Sequence, residues 1–141
     1  MERKLYFAVK ILAAIGIVLA LFLLWEQLFH PSFQPCRINS TINCDAVISG
    51  AVAKTFGIPT PLYGLIGYIV MMLAAIYQKK TVLLGMAAFG LAFCMWIAYV
   101  EIIQLHVICP VCVGCDIDII TTFILACTIF RYKIEPPPPS N

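Results

Sequence analysis

The chain has 141 residues, of which 62% are hydrophobic and 11% charged, with a net charge of +2. An average soluble domain is about 45–50% apolar and about 25% charged, so this composition excludes an ordinary soluble domain and indicates a single membrane domain in a lipid bilayer. No basic stripe or interleaving of aromatic and basic residues is present, which excludes nucleic acid as a partner.

Taken in chain order, residues 5–28 are apolar apart from Lys10, Glu26 and Gln27. That length suffices for a transmembrane helix, which needs roughly 20 residues. The run is too long for a cleaved signal peptide and lacks a small-x-small cleavage site after it. Lys10 sits near enough to the start to snorkel back to the headgroups. Residues 29–60 form a connecting loop of roughly 30 residues, longer than helix–helix connections usually are and therefore expected to be functional. His30 to Asn43 reads as irregular, and Asp45 to Phe56 as a short interfacial helix capped by Asp45. Gly57-Ile58-Pro59 is the expected return turn. Spans are then predicted over 62–77, with Pro61 at the first helical turn, over 81–105 and over 110–130. The Pro-rich tail 134–141 is expected to be extended and disordered. The predicted fold class is all-α: an integral membrane bundle of four transmembrane helices with an extracytoplasmic loop.

Lys and Arg distribution sets the orientation. Arg3, Lys4, Lys10, Lys79, Lys80, Arg131 and Lys133 fall on one side of a four-span arrangement, and only Arg37 and Lys54 on the other. The positive-inside rule puts both termini in the cytoplasm. The loop 29–60 and the bend at 105–109 then face outward, in a multi-pass cell-membrane protein.

Four of the seven cysteines fall in those outward segments: Cys36 and Cys44 in the loop, Cys109 and Cys112 as Cys-Pro-Val-Cys at the start of the fourth span. Thiol–disulfide exchange requires one thiolate to reach another disulfide, and two dithiol pairs on the oxidising side of a membrane point to a membrane disulfide oxidoreductase. Cys109 is expected just before the fourth helix, whose N-terminal partial charge favours a thiolate. Cys112 lies one turn deeper. Cys109 would then be open to a loop thiol and Cys112 to an acceptor dissolved in lipid, naturally a quinone. A static loop staple is the bland alternative for Cys36 and Cys44.

Cys94 and Cys127, mid-span, read as small hydrophobic residues. Cys115 extends the motif toward an iron–sulfur spacing, but Ile119 stands where the next cysteine belongs, and no metal is expected. Glu26 and Glu101 lie near outer span ends, where simple interfacial exposure is at least as good an account as function. Asp116, one turn below Cys112, is a candidate proton donor, since intramembrane acids are functional candidates. A different class of reading is a small membrane transporter or subunit that uses Glu26 and Glu101, with disulfides as staples.

The chain resembles the vitamin K epoxide reductase family in its prokaryotic, disulfide-generating branch. The residues carrying the resemblance are Cys36 and Cys44, Asn43-Cys44-Asp45-Ala46-Val47 followed by Ser49, Phe56-Gly57-Ile58-Pro59, Tyr63-Gly64-Leu65 with Gly67-Tyr68, and Cys109-x-x-Cys112. The resemblance covers residues 1 to about 131.

It implies that a reduced thioredoxin-fold (DsbA-like) partner attacks the Cys36–Cys44 disulfide at Cys36. Cys44 then attacks Cys109, and Cys112 passes electrons to a quinone of the ubiquinone or menaquinone type. It also implies that Ser49 and the loop helix cover the quinone, with Ile48, Val52, Phe56 and Tyr63 lining its site. Two places where the animal enzymes carry quinone-contacting Asn and Tyr read Thr60 or Pro61, and Asp116, here. The implied reaction is therefore oxidation of a thiol partner by an ordinary quinone rather than epoxide reduction. No fused thioredoxin-like domain is expected after Lys133, so the partner is a separate extracytoplasmic protein.

Overall fold

Lipid offers a peptide group no hydrogen-bond partner, so an apolar chain of this kind satisfies its backbone within helices. The computed structural model describes residues 2–29, 38–42 and 54–132. In it, α1 (Glu2–Phe29), α2 (Thr60–Ile76), α3 (Lys80–Tyr99) and α4 (Pro110–Tyr132) form a four-helix bundle of the expected class. α1, α4 and α3 with its continuation to Leu105 are long and apolar enough to cross a membrane. α2 is apolar but has 17 residues, about 26 Å of helix against a hydrocarbon core of roughly 30 Å. Pro61 stands in its first turn, where a missing N–H is harmless.

The helices pack in a ring: α1 against α2 and α4, and α3 against α2 and α4. Hydrophobic burial cannot drive helices together in lipid, so close contact depends on small residues. Ala13, Ala74, Ala75, Ala87 and Ala126 are correspondingly buried at the helix contacts. Larger side chains, among them Val9, Tyr68, Met71, Leu83 and Ile119, fill the space between. Gly16 is the tightest approach. The Tyr68 ring of α2 lies where a Cβ on that residue would have to go.

The two ends of the bundle differ. At one, Arg3, Lys4, Lys10 and Gln78 line a common cavity, and the Tyr6 hydroxyl donates to the Gln78 carbonyl at 3.4 Å. The Lys80 ammonium sits 5.2 Å from the centroid of the Phe130 ring, a cation–π contact, which brings the end of α4 to that same face. At the other end Leu23, Val100, Val107 and Cys109 form a second apolar cluster. Both chain ends of the bundle thus lie at the basic face, and the cysteine motif lies opposite.

Three sequence expectations change. The helix expected over 45–56 lies outside the described residues as far as residue 53, and its end is not helical. Lys54–Thr55 (β1) pairs antiparallel with Ile58–Pro59 (β2). Phe56 and Gly57, at φ 55 and 82, form the two-residue loop, both in the positive-φ region that such hairpins require and that a helix forbids. Second, Glu26 and Glu101 are buried, 5% and 4% exposed, at the end of the bundle that carries the apolar cluster. Third, α3 does not end as an ordinary helix. Val100–Leu105 is a π-helical turn, a wider winding that often marks a functional position. His106 then takes a left-handed conformation, φ 52, one that His tolerates better than most residues.

Replacing Gly16 with Ala should destabilise the bundle by about 1–3 kcal/mol, because the Tyr68 ring must leave its place in a filled core. Denaturant titration of the purified protein in detergent measures this, and Gly64→Ala, where a Cβ meets nothing, should be nearly silent.

Candidate active site

Cys109 immediately precedes Pro110, the first residue of α4. Proline there fixes the helical φ and leaves the amides of the following residues free to point at the cysteine. The Cys112 N–H donates to Cys109 Sγ at 3.4 Å, and the Val111 N–H also bonds to that sulfur. The Cys112 thiol, with its one proton, stands within hydrogen-bond reach of both Cys109 Sγ and the Glu101 carboxyl. Its interaction with Cys109, followed by the bonds from the Cys112 and Val111 amides, holds the Cys109 thiol below the ordinary thiol range, against the opposing effect of burial. The arrangement favours a thiolate on Cys109 and a proton on Cys112.

Cys109 is wholly buried. Leu23, Val100 and Val107 pack against it, and the chain just before it is hydrogen-bonded to the loop. Cys112 is half-buried beside Leu105 and Val111.

The described part of the loop, residues 38–42, is a compact turn in which the Ile42 carbonyl accepts from the N–H groups of Ile38 and Asn39, at 3.1 and 3.2 Å. Ile42 bridges Ile108 in parallel, and the Ile108 N–H donates to the Thr41 carbonyl at 2.7 Å. Cys36 and Cys44 lie outside the described residues, two positions beyond either end of this turn. A two-residue segment spans at most about 7 Å. The segment between the loop cysteines is thereby fastened to the residue that precedes Cys109.

A carboxyl group completes the site. Glu101, in the π-helical turn, accepts a hydrogen bond from the Cys112 thiol and another from the Cys109 backbone N–H. Its own backbone carbonyl accepts from the N–H of His106 and, at 3.2 Å, from that of Val107, which anchors the turn leading to Cys109. Sequence reasoning weighed Glu101 between interfacial exposure and a transport role and did not connect it with the cysteines. The signal that would have found it is its chemistry, an acid within an apolar span.

A scan against family models matches residues 7–127 to the vitamin K epoxide reductase family. The chain belongs to the vitamin K epoxide reductase family. It is a multi-pass membrane protein and, as a member of the family, a membrane thiol oxidoreductase. A search among curated proteins finds no match to the chain.

The remaining residues suggested by likeness to the vitamin K epoxide reductase family are distributed differently. Ser49, Ile48 and Val52 lie outside the described residues. Phe56 is 95% exposed at the hairpin tip. Tyr63 stands in a groove of about 160 Å³ between α2 and α3, together with Gly67, Phe89, Phe93 and Cys94, its ring 6.2 Å from that of Phe93. Asp116 is half-buried on α4, within electrostatic reach of Glu101.

Ile108→Pro removes the N–H that binds Thr41. A hydrogen bond of this kind contributes about 0.5–1.5 kcal/mol, so the variant should lower the docked population of the 38–42 turn by roughly two- to tenfold. Faster amide exchange confined to that turn, with the helices unchanged, is the expected result.

Proposed function

We propose that this protein is a quinone-dependent thiol–disulfide oxidoreductase that reoxidises a separate thioredoxin-fold protein and so makes disulfides outside the cytoplasm. The observation that carries the reading is the Ile108–Thr41 bond. It ties the segment between Cys36 and Cys44 to the residue next to Cys109, and exchange between the two pairs requires a juxtaposition of that kind. The basic end of the bundle is the cytoplasmic one by the positive-inside rule, so both termini are inside and the cysteines outside.

In this reading the partner's thiolate attacks Cys36 in the loop disulfide and forms a mixed disulfide, releasing Cys44. The Cys44 thiolate attacks Cys109 Sγ of the Cys109–Cys112 disulfide, and Cys112 is the leaving thiol. Cys109, once reduced, is stabilised as thiolate by the helix amides, which prepares it to close the bond with Cys112 again.

The surroundings of Cys112 fit a quinone. Apolar side chains flank the sulfur, and the Glu101 Oε1 beside it is enclosed without a hydrogen-bond partner of ordinary length among the described residues, a place for a polar edge of the ring. A bound quinone supplies an acceptor for two electrons and two protons. Ser49, Ile48, Val52, Phe56 and Tyr63 would cover or line its site, and Asp116 would lie at its proton-receiving side. Contact between Glu101 and the cysteines also favours this reading over transport by isolated membrane acids.

Purified protein in lipid should reduce a quinone when supplied with a reduced thioredoxin-fold partner, and Cys109→Ala or Cys112→Ala should abolish turnover. Cys112→Ala should accumulate a Cys44–Cys109 bond, identified by mass spectrometry of non-reduced peptides. Undiminished turnover in either variant, or Cys36 in place of Cys44 in the trapped bond, would overturn the assignment or the order of transfer respectively.

A further inference from the structure

Glu101 is a buried acid whose carboxyl meets both cysteines of the motif. Three features single it out. It is 4% exposed, so bulk water does not serve it. Its carboxyl bonds the Cys112 thiol and the Cys109 amide, while Oε1 has no ordinary partner among the described residues. It stands on a π-helical turn, Val100–Leu105, a winding that often marks a functional position, and its own carbonyl anchors the amides of His106 and Val107 on the way to Cys109.

A buried carboxylate without compensation is expensive, and tertiary packing has placed this one against a thiol proton. We propose that Glu101 is the proton carrier of the Cys109–Cys112 couple, taking the Cys112 thiol proton when the disulfide forms and returning it when the disulfide opens. This inference rests on the oxidoreductase reading above and deepens it, assigning a catalytic residue beyond the four cysteines.

The chemistry balances. When the couple is oxidised, Cys109 Sγ bonds Cys112 Sγ, two electrons leave to the quinone, and the dithiol loses two protons. Glu101 receives the proton of Cys112 Sγ; that of Cys109 has already gone to the outer aqueous phase, because Cys109 is held as thiolate. A quinone taking those two electrons would draw its two protons from the aqueous phase, matching the two that the partner dithiol releases there, while the Glu101 proton stays at the site. In the opposite half-reaction a loop thiolate bonds Cys109 Sγ, the Cys109–Cys112 bond breaks, and the leaving Cys112 thiolate takes its proton from Glu101. Asp116, within electrostatic reach, is the next acid along α4.

Glu101→Gln keeps the size and an accepting oxygen but cannot hold a transferable proton. The decisive experiment is infrared difference spectroscopy of the purified full chain, reduced with dithiothreitol minus oxidised, with no quinone added. Wild type should show a carboxyl C=O band that differs between the two redox states. The band should vanish in Glu101→Gln, move in Glu101→Asp and persist in Glu26→Gln. Turnover with quinone should fall roughly 10²-fold in Glu101→Gln and recover in part in Glu101→Asp, while formation of the mixed disulfide at Cys36 is unchanged.

A band that survives in Glu101→Gln, or a wild-type spectrum with no carboxyl change, overturns the inference. Should the Gln variant fail to fold, the band position in Glu101→Asp decides in the same way. Because the spectra need only a small dithiol, a wild-type protein that shows the band yet reduces no quinone defeats the proposed function and leaves the carrier role standing.

Discussion

The bond from the Ile108 N–H to the Thr41 carbonyl governs the outer end of this bundle. At 2.7 Å it is the shortest backbone hydrogen bond outside the regular elements among the described residues. The features around it follow from presenting that N–H. The π-helical turn lets the chain leave α3 early, and the left-handed His106 reverses it. Both new amides are satisfied on the Glu101 carbonyl, so the reversal leaves no orphaned group in lipid. Ile108 then faces the loop, and Cys109 follows at the start of α4 with its sulfur turned inward.

Enclosure of Cys109 has an electrostatic consequence. Burial alone would raise a thiol, yet amides at the helix start and the Cys112 thiol all donate toward its sulfur and outweigh burial. The motif is thus polarised, one sulfur made a good anion and its neighbour a good proton donor. Glu101 extends the polarity outward from Cys112. A cluster of Leu23, Val100 and Val107 around these groups excludes water, which is what makes a few hydrogen bonds decisive.

How much of this was legible in the sequence depends on the range of the interaction concerned. Apolar runs, Pro61 and Pro110 declared the helices, because span length and proline placement are local properties. Cys-Pro-Val-Cys at a helix start declared its sulfur chemistry for the same reason. The end of the expected loop helix was misread: Phe56 is apolar and suits an amphipathic face, whereas the hairpin arises from paired positive φ angles that only Gly57 advertised. Glu26 and Glu101 were misread for a related reason. A position near a span end suggests exposure, but whether a side chain there meets water depends on what neighbouring helices place over it.

Composition, the asymmetry of Lys and Arg, and the spacing of Cys109 and Cys112 determined by themselves a membrane helical bundle with thiol chemistry, since each is set by contiguous chain and its solvent. Only the tertiary structure decided that residues 38–42 fasten to Ile108, that Leu23, Val100 and Val107 pack around Cys109, and that Glu101 faces the motif. Those three depend on groups far apart in the chain and on a departure from regular winding at Val100–Leu105, which residue periodicity, being a property of regular winding, does not encode.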